Sequence, residues 1–212
     1  MTAEPRPEHP DRLPLGQYLT LGEFCTCTAT YHQFAAQIDP YPRQWQASLA
    51  ALQALATTLL DPIIEHYGRE RFQLTYGFCS LDLRRYLNRH DPLTGRKYGR
   101  IAPSRDQHMA AERNRTGRPF CERGGAACDF LIAQEPSDRV VDWLLAQGLP
   151  FDSLYFYGGD RPLHLSYGPE QKRAIWGFTA QGTPTRAGLE TWVRQARAGG
   201  PLGRVHRDGP HP

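Results

Sequence analysis

Two short segments of this 212-residue sequence carry residue types that chemistry can use. In PLHLSY, residues 162–167, strand alternation puts Leu163, Leu165 and Tyr167 on one face and His164 and Ser166 on the other. If the leucine face is core, His164 looks into a cleft from a rigid element, a good place to hold a ligand. A surface or hydrogen-bonded histidine is the alternative from the same letters. In GGAACDFLIA, Asp129 stands at the start of an apolar run. Burying a carboxylate there is costly unless it is paired or bound to a metal. The small residues Gly124, Gly125, Ala126 and Ala127 before it let another backbone or a ligand come close. A strand-start aspartate facing water is the alternative here. His108, in SRDQHMAAERN, says little by itself.

These residues need elements to position them. A 40% hydrophobic chain with 11% aromatics has material for one core. We expect a single domain over 15–198, between a disordered arm at 1–14 and a disordered tail at 199–212. Thr20 and Glu23 have capping-box spacing and predict a short helix. After Pro42, Trp45, Leu49, Leu52, Ala56, Leu59 and Ile63 recur at helical steps and mark one buried face. Pro62 should kink that helix or start a new turn, and Gly68 should end it. RFQLTYGF, 71–78, alternates Phe72, Leu74, Tyr76 and Phe78 and predicts a half-buried strand. Residues 90–125 read as loop. A strand follows at 128–133, then a helix capped by Ser137 and closed by Gly148. Strands are expected at 153–157, 162–167 and 174–178, and a last helix at 185–198. Close-spaced strands favour antiparallel pairing, so the expected class is α+β with a small antiparallel sheet flanked by helices.

Composition restricts the partners. A formal charge of +3 is too weak alone to argue for nucleic acid. Between Arg84 and Arg100, however, six Lys/Arg face Asp91 as the only acid. That run is either a basic loop for an anionic partner or a solvated loop. No run of ~18 apolar residues suggests a membrane span. The polar, proline-rich start lacks the apolar centre of a secretory signal, so a cytoplasmic location is expected. Five cysteines, an odd number, read as free thiols. Cys25, Cys27, Cys121 and Cys128 lack the usual spacing of a zinc pair.

Several segments together resemble one family. YLTLGEF, a helix ending DPIIEHYG, and then FQLTYGFCS look like the opening of the M15-type zinc D,D-peptidases, the Hedgehog-like fold. GAACD, Gly125 to Asp129, matches that family's G-x-A-x-D, DQHM resembles its first-histidine segment, and DRPLHLS resembles its final histidine strand. The resemblance covers roughly 15–178. It implies His108, Asp129 and His164 as ligands of a catalytic Zn2+, with a fourth position open. It implies Asp160 as general base, and the stretch 109–124 as an insertion between the first two ligands. Without an insertion, Glu122 takes the histidine slot; with one, it becomes a further catalytic acid. Cys79 stands where the family keeps a substrate-steadying arginine. Arg84, Arg85, Arg161 or an arginine of the inserted loop (Arg113, Arg115 or Arg118) are the candidate replacements, with Ser80 beside them. The implied activity is zinc-dependent hydrolysis of an amide bond in a peptide or peptidoglycan-like substrate. The alternative is a zinc-binding module without catalysis that holds an acidic or nucleic-acid partner through its basic loops. A structural domain with no metal is the third reading.

Overall fold

The computed structural model describes residues 6–99, 107–179 and 181–198. Its centre is a sheet of β1 (Phe72–Tyr76), β2 (Ala126–Ile132), β3 (Ser153–Phe156), β4 (Leu163–Tyr167), β5 (Ala174–Phe178) and β6 (Pro184–Thr185). The strand order is β1-β2-β4-β3-β5-β6. The chain is α+β, but the sheet is mixed, because β3 and β5 run parallel while every other pair is antiparallel. The expectation of a purely antiparallel sheet fails at one connection. Residues 168–173 carry the chain across β3 instead of turning back beside β4. Gln171 and Arg173 have positive φ there, and the buried Arg173 guanidinium ties the crossover to the Leu149 and Ala196 carbonyls.

Alternation gives the sheet two different faces. Cross-strand partners Phe130 and Leu163, Cys128 and Leu165, Leu165 and Leu154, and Leu154 and Ile175 are all buried on one face, in the main core. The helical run Trp45–Leu55 (α3), a π-turn Ala56–Leu60 and Asp61–Tyr67 (α4) supply the other half of that core. In the π-turn the Asp61 N–H bonds to the Ala56 carbonyl, so the hydrogen-bond ladder has already shifted when it reaches Pro62, which has no N–H to give. The helix therefore passes Pro62 and ends at Gly68, whose φ is 93°. Trp45–Tyr67 is long and apolar enough, by length and composition only, to cross a membrane, which corrects the expectation that no such segment exists. Its residues Leu52, Leu55, Ala56, Leu59, Leu60, Ile63 and Ile64 are buried in the core cluster, as in the core helix of a globular fold.

Helix α1 (Leu21–Thr26) has the expected capping box between Thr20 and Glu23. Two further short helices were not expected: α2 (Ala29–Phe34), capped by Thr28, and α5 (Leu81–Leu87), capped by Ser80. With Ile38, Cys79 and Met109 they form a second, smaller apolar cluster. Helix α6 (Ser137–Ala146) is preceded by Pro136. Ser137 does not cap it; its hydroxyl donates to the Arg161 carbonyl, 2.6 Å away. Helix α7 (Glu190–Ala198) starts later than expected because Pro184 and Thr185 pair with β5. Residues 6–14 are not a free arm: Arg6 forms a double hydrogen bond with Asp39, and the Leu21 N–H donates to the Leu13 carbonyl. The expected tail, 199–212, lies outside the described residues.

Candidate metal centre

The second face of the sheet carries one transverse row. Tyr76, Asp129, His164, Tyr155 and Trp176 stand opposite one another, in that order, on β1, β2, β4, β3 and β5. Direct cross-strand neighbours share a face and lie within reach of one another. Four of these places follow from simple alternation. Tyr76 does not: alternation would leave it with Phe72 and Leu74 on the core face. A register shift between Leu74 and Tyr76 re-aims it, as β-bulges do. Its ring then packs on His108, with centroids 4.2 Å apart, and joins the smaller apolar cluster. On the other flank, Tyr155 stacks on His164 at 4.4 Å with the rings 13° from parallel.

His108 arrives from a loop and is clamped by the end of β1. Its Nδ1 lies 2.8 Å from the Gly77 carbonyl oxygen, and its own carbonyl accepts from the Cys79 N–H at 2.8 Å. Gly77 is required where the end of β1 lies against α1. A Cβ there would run into the Phe24 carbonyl oxygen, so any other residue would push the strand end off α1. The loop around His108 is pinned from three sides. Gln107 Nε2 donates to Gly124 O and to the buried Asp152, both at 2.8 Å; Ser48 Oγ accepts from the Ala111 N–H; Glu112 Oε1 accepts from the Arg43 and Gln44 N–H groups. The stretch expected to be an insertion thus begins as part of the interior. Only 113–119 projects, as a turn closed by the bridge between Arg113 and Pro119.

One ligand atom from each of His108, Asp129 and His164 lies within 4.8 Å of the others. Asp129 Oδ1 is 2.8 Å from His164 Nδ1 and 3.3 Å from His108 Nε2. Both histidines are buried. A carbonyl can only accept, so His108 Nδ1 carries its proton toward Gly77. In the neutral ring, Nε2 then presents a lone pair to the carboxylate, and two acceptors face each other. A proton or a cation between them resolves the conflict. Burial by itself would raise the Asp129 carboxyl, but the charge and hydrogen bonds of His108 and His164 outweigh it and hold it well below the usual carboxylate range. His164 Nε2 is buried without a hydrogen-bond partner among the described residues, an unsatisfied polar atom beside the cluster. Two imidazoles and one carboxylate, oriented from behind by a carbonyl, are a donor set that could hold a divalent cation.

The remaining predicted residues fall elsewhere. Glu122 does not occupy a ligand slot: its side chain is 66% exposed and pairs with Arg118. It does line a cavity of about 870 Å³ on the same sheet face, floored by Tyr155, Trp176 and Phe178 and rimmed by Arg118, Arg123 and Lys172. Asp160 and Arg161 are exposed in the turn before β4, which is fastened to the start of α6 through Gly159 O and Arg161 O. Ser80 has both roles of its hydroxyl committed, accepting from Leu83 N and donating to Asp39 O. Arg84 lies over the Phe120 ring at 4.5 Å. All five cysteines are free, and among the described residues no thiolate cluster suits a metal.

Sequence reasoning missed Tyr76, Tyr155 and Asp152. The two tyrosines sit in segments read as strands, but only register shows which histidine each one backs. Asp152 is buried, with Gln107, the Lys172 N–H and the Arg123 guanidinium converging on it. No family model, curated protein or solved structure matches this chain.

Proposed function

We propose that the chain is a zinc-dependent amide hydrolase of the D,D-peptidase type, acting on a peptide or peptidoglycan-like substrate, with His108, Asp129 and His164 as the zinc ligands. The observation that carries this reading is the convergence of three ligand atoms within 4.8 Å beside an aromatic-floored cavity on the same sheet face. Two histidines and an aspartate leave a position open on zinc, as catalytic sites do. When bound, zinc supplies an acidified water and polarises the amide carbonyl. The protein's own groups do the rest. Tyr155 and the Gly77 carbonyl hold the two imidazoles in place. The cavity floor takes the apolar part of the substrate, while the cationic rim of Arg118, Arg123 and Lys172, each already paired with a carboxylate of the chain, would exchange such a partner for a substrate carboxylate. Of the two acids the sequence nominates, Glu122 lines the cavity and Asp160 does not, so Glu122, released from its ion pair with Arg118, is the proton acceptor of this reading.

A second reading, a zinc module without turnover, has one observation in its favour. Cys79, where the resemblance expects an arginine, is buried in the smaller apolar cluster and offers no cation. Incubating zinc-loaded protein with peptidoglycan fragments and with D-Ala-D-Ala peptides separates the two. Cleavage that disappears in Glu122→Gln and His164→Ala supports the hydrolase. Stoichiometric zinc with no cleavage of either substrate favours the module.

A further inference from the structure

A second cleft lies outside this site. Its volume is about 540 Å³, and its lining includes Arg43, Arg84, Arg85, Arg113 and Arg115. These arginines come from three separate parts of the chain: the segment before α3, helix α5 and the projecting turn at 113–119. The fold brings them to one hollow. The acids nearby cancel them only in part. Glu112, the one acid in the lining among the described residues, is fully buried, and its Oε1 is taken by the Arg43 and Gln44 N–H groups. Asp82 is shared between Arg43 at 3.6 Å and Arg85 at 2.7 Å. Arg84 lies over the Phe120 ring, and Arg113 is braced on the Gly117 carbonyl. Arg115 is exposed and has no partner among the described residues.

Asp82 offsets part of the charge of Arg43 and Arg85, and Arg84, Arg113 and Arg115 have no carboxylate partner among the described residues, so the hollow keeps a net positive charge that an anion would relieve. Planar forks in that number match oxygens arranged on phosphorus, which each fork can grip with two hydrogen bonds. The charge is gathered in a hollow rather than spread along a stripe, which suits a compact ligand better than a long polymer. We propose that this cleft binds a small oligophosphate, a soluble molecule carrying two or more linked phosphates. The site is independent of the hydrolase reading, although Phe120 lines both cavities and is the wall they share.

The test is calorimetric titration of the full-length protein with inorganic tripolyphosphate, beside Arg84→Gln and Arg115→Gln. Arg115 is exposed, so its replacement leaves the fold intact, and circular dichroism verifies this for both variants. The expected result is saturable binding of one tripolyphosphate per chain, weakened by roughly tenfold in each variant and further weakened by added salt. Heat that survives unchanged in both variants reports chelation of a bound metal and overturns the proposal. So does an absence of saturable binding. A single-stranded oligonucleotide is titrated in parallel. If it binds through these arginines and tripolyphosphate does not, the cleft is a nucleic-acid contact and the small-ligand assignment is wrong.

Discussion

Asp129 and His164 face each other across adjacent antiparallel strands, and Asp129 Oδ1 lies 2.8 Å from His164 Nδ1. The pairing is made by backbone register, so the two ligands are positioned before any ion arrives. Such a preformed site should bind zinc and be stabilised by it. At a free zinc concentration about a hundredfold above Kd, the gain is about 2.7 kcal/mol. Purified protein should therefore hold one zinc per chain by elemental analysis and melt at a higher temperature with zinc than after chelation. His164→Ala and Asp129→Asn should lose both effects. Equal melting with and without zinc in the parent protein would sink the metal assignment.

Gly77 is the weak point of the clamp on His108. In Gly77→Ala the new methyl meets the Phe24 carbonyl, and the strand end must move. Overpacking of this kind costs about 1–3 kcal/mol. Because the Gly77 carbonyl also orients the imidazole, zinc affinity should fall by roughly 10–100-fold. Urea unfolding and zinc titration read the two losses separately. A variant that is destabilised but binds zinc as before would show that the carbonyl does not orient His108.

Asp152 should matter well beyond its size. It is buried and receives Gln107, Arg123 and the Lys172 N–H. Asp152→Asn removes the charge from a buried pair, which costs about 3 kcal/mol or more. It also loosens the loop that carries His108, through Gln107. A lowered urea midpoint together with weakened zinc retention is expected. An unchanged midpoint would contradict the role assigned to this carboxylate.

Ordering and burial at α1 make stability depend on alkaline pH. Burial pushes the Cys25 thiol well up and the Cys27 thiol up to about 12, from an ordinary value of 9.0. The folded chain thus keeps protons that the unfolded chain releases. The contribution is fully present below the unfolded value and declines as pH rises through 9.0 toward 12, by up to about 1.4 kcal/mol per pH unit for each thiol. Urea midpoints across roughly pH 8 to pH 10 should fall, and Cys27→Ala should flatten the decline.

How much of this was legible depends on distance along the chain. Alternation in PLHLSY and a carboxylate opening an apolar run were enough to single out His164 and Asp129, because each signal is local. His108 carries no local signal. Its clamp is made by Gly77, which is 31 residues away in sequence. Tyr76 was assigned to the wrong face, since a bulge leaves no mark in the pattern of FQLTY. The parallel pairing of β3 with β5 was hidden because close spacing favours hairpins, and nothing in residues 168–173 announces a crossover. Helices α2 and α5 did have signals, Thr28 and Ser80 as caps, but each helix is too short for its apolar spacing to stand out. Four arginines of the second cleft, Arg84, Arg85, Arg113 and Arg115, lie in the two basic loops that the sequence offered to an anionic partner; that the loops meet in one hollow, and that Arg43 joins them, depends on the fold.

The row across the sheet has a consequence for how the chain folds. If β4 slipped by one residue against β2, Leu163 or Leu165 would take the place opposite Asp129, and the imidazole would turn to the other side. An ion bound to both residues therefore tolerates one strand alignment and rejects its neighbours. A metal held by both residues would add its binding energy to the native register alone.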